Sequence, residues 1–168
     1  MERSLCSDLL ARIEAQIGRI DHLAAIMPND RADWTPPIEK AFSFSVLLGH
    51  LMDCLAGFCA VLYAANPDRL GHFMELKKLP VNGDVTPAEA RPRLELYRGH
   101  IREGFGLLSD SDLGRLIPTV FVPAGESLLS LLLINFEHLA SHKYQLFIYL
   151  RLVGVDVSSS DLYLFSGQ

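Results

Sequence analysis

Leu5, Leu9, Ile13, Ile17, Ile20 and Leu23 recur at steps of three and four, the period of a helix with one apolar face. That period returns in two later stretches, a fourth long helix follows them, and no convincing strand separates the helices. Phe44, Leu47, Leu51, Leu55, Phe58 and Leu62 form the second stripe, with Ser43 as a cap before it and "ANPD" ending it near Ala65. The third helix opens at "TPAE". There Thr86 caps, Pro87 takes the first helical position and Glu89 reaches back to complete a capping box. The helix continues through Leu94, Tyr97, Ile101 and Phe105. The fourth runs from about Glu126 to Val153, with Gly154 just past its end. Four such helices predict an all-α fold, a four-helix bundle, in which sites are built from side chains facing one another across helices.

The connections read as loops. "PNDRADWTPPIEKAFSF" after the first helix holds three prolines and the only Trp; the segment 66–85 holds Pro67, Gly71, Pro80 and "NGD". "TVFV", between Pro118 and Pro123, is expected to be extended but is too short to anchor a sheet. Residues 1–155 are expected to form one bundle domain. Residues 156–168, Ser-rich and then apolar at "DLYLF", are expected to pack back on it.

Composition closes off several classes of function. Of 168 residues, 49% are hydrophobic, enough for a full single core. The net charge of -5, with no run of Lys or Arg, argues against nucleic acid as a partner. "SLLSLLLINFEHLA", read as the most apolar segment, is broken by polar residues and falls short of the roughly 20 apolar residues a membrane span needs. The first helix is amphipathic and unlike a signal peptide, so no membrane partner is expected. Cys6, Cys54 and Cys59 are odd in number and form no CxxC, which suits a reducing, cytoplasmic setting.

The chemistry concentrates in the histidines. His138 and His142 stand four apart, so on a helix they project from one face with Cβ atoms about 6 Å apart. A transition metal with bonds of about 2.0–2.1 Å to imidazole nitrogen can sit between them. That spacing alone is a weak motif, and a ligand from another helix is needed to strengthen it. His50 lies within the apolar run of the second helix, where a buried imidazole needs partners for both nitrogens; a metal shared with the fourth helix would satisfy one. His22 and His72 are expected to be solvated, and His100 is an outside candidate.

Four neighbours complete the candidate site. Gln145 shares the face of His142 and either bonds a ligand or simply marks the bundle mouth. Asn135, one turn before His138, is placed to support it from behind. Cys54 shares the face of His50; it lines the pocket, ligates the metal, or is a small buried hydrophobe. Trp34 is expected to pack as a lid on the bundle end, with stacking on a substrate as the alternative. No Ser-His-Asp arrangement, phosphate-cradling glycine loop or paired catalytic carboxylates are present in the pattern.

"WTPPIEKAFSFSVLLGHLMDCLAGF", from Trp34 to Phe58, resembles the second-helix region of the DinB/YfiT-like superfamily, with its Trp- and Pro-containing loop and a single histidine followed by Leu. "FVPAGESLLSLLLINFEHLASHKYQLFIYLRLVGV", from Phe121 to Val155, resembles that superfamily's last long helix, with the HxxxH pair, Gln145-Leu146 and the "YLRLVG" ending. Two positions depart from the pattern: Gly49 before the histidine, and Lys143-Tyr144 where a small or basic pair is usual. The resemblance implies an up-down-down-up bundle and a divalent metal held by His50, His138 and His142, with water or substrate at the open positions. It also implies a homodimer and, in some members, transferase or isomerase chemistry that depends on small thiols such as bacillithiol or mycothiol.

Three imidazoles with an open position form a catalytic arrangement; a fourth protein ligand, with Cys54 the obvious one, would make a closed structural site. The first expectation is therefore a metal-dependent enzyme acting on a small molecule through an activated thiol or an activated water, with the family resemblance putting a thiol-dependent transferase foremost and hydrolysis as its variant. The second is a non-catalytic metal-binding or dimeric interaction protein. Zn²⁺ is the first expected metal, and Ni²⁺ or Fe²⁺ also suit imidazole. A low-molecular-weight thiol is the expected co-substrate.

Overall fold

The computed structural model describes residues 4–81, 83–119 and 122–163. Its main helices are α1 (Leu5–Ala25), α2 (Phe44–Ala65), α3 (Pro87–Phe105) and α4 (Leu128–Leu152), followed by a short α5 (Ser159–Tyr163). α2 packs against α3 and α4, and α1 packs against the same two, so the four close around one core. The stripes read from the sequence are what they bury. Ile17, Ile20, Leu47, Leu51, Leu55, Phe58, Leu62 and Ile101 have no exposed surface. Each such side chain contributes about 1.5–3 kcal/mol relative to leaving it in water.

Helix starts follow the cap chemistry. Ser43 Oγ accepts from the Val46 N–H, and the Thr86–Glu89 capping box is present in both directions. α4 begins two residues later than expected, because Glu126–Ser127 forms a two-residue strand (β2) antiparallel to Leu116–Ile117 (β1). Ser127 then caps α4 by accepting from the Ser130 N–H at 3.1 Å. Extended backbone therefore lies ahead of "TVFV"; Val120 and Phe121 fall outside the described residues. The 66–85 segment is more regular than its prolines suggest: Gly71–Lys78 winds as 3-10 turns, with Phe73 buried beneath.

α1 is capped from a distance. Asp110, 105 residues further along, accepts from the Leu5 and Cys6 N–H groups, both at 2.9 Å, and from Ser4 Oγ at 2.7 Å. A carboxylate there meets both the free amides and the positive end of the helix dipole.

Two expectations are corrected. Among the described residues the one helix long and apolar enough to cross a membrane is α2, not the start of α4; 61% of that stretch is buried inside the bundle. His22 is not simply solvated. Its Nε2 lies 2.9 Å from Asp161 Oδ1, which ties α5 to α1, while Val157 and Leu162 bury beside it. His72 is exposed and meets Glu103 at 3.0 Å. The last residues of the "DLYLF" segment, Leu164 and Phe165, lie outside the described residues.

Gly49 has a packing reason. A Cβ there would lie 1.9 Å from the Gly83 carbonyl oxygen, where the backbone leading into α3 crosses α2. That crossing is fixed by Val85 N–H donating to Ser45 O at 3.1 Å and Ser45 Oγ donating to Asp84 at 2.8 Å. Gly49→Ala is accordingly expected to cost about 1–3 kcal/mol, the range for overpacking, in urea unfolding; an unchanged midpoint would show that the crossing is soft. Asp110 makes a pH prediction. The Cys6 N–H, the Ser4 hydroxyl and the Leu5 N–H hold its carboxyl down at about 2, against about 3.9 when unfolded. Its stabilising contribution is complete above the unfolded value and lost as pH falls through the folded one. Asp110→Asn should lower Tm at pH 6, and the gap to wild type should close between about pH 4 and pH 2; a gap independent of pH would refute the charge-based cap.

Candidate metal centre

His50 stands on α2, and His138 and His142 on α4. Their backbones are placed by burial on either side: Leu47, Leu51 and Leu55 orient α2, and Leu139 and Leu146 orient α4, all without exposed surface. One ring nitrogen from each histidine lies within 4.8 Å of the others. The ring centroids are 5.2 Å apart for His50 and His138, 4.4 Å for His50 and His142, and 4.8 Å for His138 and His142. His50 and His142 are half-buried and His138 is exposed, so the cluster opens to solvent.

Three features suit the cluster to a cation. The Nε2 atoms of His50 and His138 are 3.3 Å apart; two nitrogens bonded at about 2.0–2.1 Å to one tetrahedral ion lie about 3.3 Å apart by the same geometry. Protonation is disfavoured as well. Burial, then the neighbouring imidazole of His50, pushes His138 below the ordinary histidine value. Burial also lowers His142, against a partial opposing effect of its bond to Gln145. Neutral imidazole is the form that binds metal.

The third feature is the support behind His142. Its Nδ1 lies 2.9 Å from Gln145 Oε1; since that oxygen only accepts, the ring proton sits on Nδ1 and Nε2 is left with its lone pair. Gln145 is fixed in turn: its Nε2 donates to the Tyr149 hydroxyl at 3.0 Å, and that hydroxyl donates to the Phe42 carbonyl at 3.2 Å. Trp34 packs on Tyr149 and Phe44, with centroids 5.4 Å and 5.5 Å away. It therefore braces this chain from the bundle end.

The other candidates fall behind or outside the cluster. Cys54 Sγ lies 3.8 Å from His138 Nδ1, behind the ring, and burial pushes its thiol up to about 12. Asn135 does not bond a histidine: its Nδ2 donates to Leu131 O at 3.0 Å. Its Oδ1 fills the space over Gly57, where a Cβ would stand 2.6 Å away, so the pair lets α2 and α4 come close beside the site. His100 is elsewhere, bonded to Leu96 O and edge-on to the Phe73 ring at 4.7 Å.

Sequence reasoning missed Phe42 and Tyr149. The Phe42 ring stands 5.2 Å from His50 and 6.4 Å from His142 and walls one side of the cluster. Tyr149 could have been found, since it lies one turn past Gln145 and two past His142. Phe42 carries no such signal, because its position depends on how the loop before α2 returns.

A family model described as the DinB superfamily matches residues 12–146. No curated protein matches the chain. Among solved structures, the crystal structure of a DinB-like protein of Bacillus subtilis, YjoA, matches with a TM-score of 0.67 and 18% identity, over 89% of this chain and 94% of that one. At that identity the likeness concerns the fold.

In protein freed of metal, His142 should be the Nδ1–H tautomer, visible in long-range ¹H–¹⁵N spectra of the ring. Gln145→Leu should remove that bias; a wild-type ring already in the opposite tautomer would contradict the assignment.

Proposed function

The chain belongs to the DinB superfamily, and we propose that it is a divalent-metal enzyme whose His50, His138 and His142 hold the ion and whose reaction transfers a group to or from a small thiol. One observation carries the reading: three imidazole nitrogens from two helices converge within 4.8 Å at a solvent-accessible end of the site. Zn²⁺ is the ion proposed first, with Ni²⁺ and Fe²⁺ next. When bound, such an ion lowers the pKa of a thiol or water that meets it, so that the deprotonated nucleophile is available at neutral pH.

The protein's own groups do the positioning. Gln145 presents His142 in the ligating tautomer, and Tyr149 with the Phe42 carbonyl keeps Gln145 from turning. The Phe42 ring covers one side of His50 and His142 and shields it from water. Exposed His138 marks the side on which a substrate arrives. Cys54 is no fourth ligand in this arrangement, since its sulfur faces the rear nitrogen of His138. That supports an open, catalytic site over a closed structural one.

The thiol part of the reading rests on the family resemblance. Three free cysteines support a reducing, cytoplasmic setting for it. The homodimer likewise rests on the family resemblance, and the exposed neighbours Leu133 and Ile134 on α4 are compatible with it.

Protein purified without added metal is expected to carry a divalent ion stoichiometric with the chain by elemental analysis. His50→Ala and His142→Ala, on different helices, should each lose it while keeping their helical circular dichroism. Metal content unchanged in both would overturn the site. Gln145→Ala should weaken Zn²⁺ binding about 10–100-fold, the usual effect of losing a ligand's hydrogen-bond partner. With the ion bound, consumption of an electrophile should require added thiol and vanish in His50→Ala; turnover without thiol would point to hydrolysis instead.

A further inference from the structure

A second feature lies on a different face of α4. Residues Phe136, Ala140, Lys143 and Tyr144 turn away from the histidine face and line a cleft of about 580 Å³ against α1 and α5. Among the described residues, two polar atoms of the cleft have no hydrogen-bond partner and one buried cation has no counter-charge. Gln16 is 7% exposed, and its Oε1 is buried with no hydrogen-bond partner. Arg19 has a buried Nε, also without a partner. Lys143 is 4% exposed, and among the described residues its ammonium meets the Leu162 carbonyl at 3.3 Å and the face of the Tyr163 ring at 5.5 Å, neither of them a counter-charge.

Two cations thus share one cleft, and among the described residues neither is in an ion pair. A buried charge with no counter-charge is costly. Glu137 stands at the rim but is exposed, where water screens it. These groups also differ in kind. Arg19 and Lys143 can only donate, whereas the orphan atom of Gln16 can only accept. A simple anion would answer the first two and leave the third unmet.

We propose that this cleft binds a small oxyanion that carries its own hydroxyl, as hydrogen phosphate and hydroxycarboxylates do. Its anionic oxygens accept from Arg19 and Lys143, and its hydroxyl donates to Gln16 Oε1. The site is separate from the histidine cluster, so it does not depend on the metal reading.

Isothermal titration in a buffer free of polyvalent anions tests this with two matched pairs. Phosphate against sulfate, and lactate against propionate, each differ by the presence of a hydroxyl donor. At least one hydroxylated anion should bind saturably and about tenfold more tightly than its partner, the worth of one hydrogen bond to a buried acceptor; which pair does so identifies the ligand class. Arg19→Gln and Lys143→Met, checked for retained helical circular dichroism, should weaken binding by about tenfold or more, and Gln16→Leu should erase the preference within the pair. Binding should persist in His142→Ala, which separates it from anion capture at the histidines. The proposal is overturned if neither hydroxylated anion binds, if sulfate and propionate bind equally well, or if Arg19→Gln binds as wild type does.

Discussion

The packing of α2 against α4 is the interaction on which the site depends. His50 and His138 are 88 residues apart, and no local preference brings them together. They meet because each rides on a helix whose other side chains must leave water. Leu47, Leu51 and Leu55 fix the rotation of one helix; Leu139, Leu146 and Leu150 fix the other. Gly57 facing the Asn135 amide lets the two backbones approach beside the cluster. The hydrophobic core therefore sets the imidazole positions, and the site chemistry is laid over a geometry already decided.

Polar connections then refine that geometry. The run from His142 through Gln145 and Tyr149 to the Phe42 carbonyl joins α4 to the loop before α2. It sits against the Trp34, Phe44 and Tyr149 rings, which exclude water from its rear. A hydrogen-bonded chain in such surroundings holds its members in place more firmly than one in water. Partial burial and the neighbouring imidazoles disfavour protonation of His138 and His142, which leaves their lone pairs for a cation. Solvent reaches the cluster at His138.

Much of this was legible in the residues. Apolar steps of three and four located α1, α2 and α3, the stretch between Pro123 and Gly154 located α4, and Ser43 and the Thr86–Glu89 box placed two of the starts. His138, His142 and Gln145 share a face by helical geometry alone, so their proximity followed from spacing. What escaped depends on tertiary approach. Asp110 caps α1 across the fold, Phe42 reaches the histidines through a loop, and His22 finds Asp161 only because α5 folds back. Asn135 shows the same limit from the other side: it shares the histidine-bearing helix, yet its amide serves helix contact rather than the rings. Lys143 reads as a surface lysine in any window of sequence, yet it is buried where α1 and α5 meet α4.

Anomalous diffraction at the zinc absorption edge, from crystals of the zinc-loaded protein, asks most directly whether these imidazoles share an ion. A single dominant peak enclosed by the ring nitrogens of His50, His138 and His142, with Cys54 outside bonding distance, is the predicted result. A peak at other residues, with the three rings left hydrogen-bonded among themselves, would contradict it.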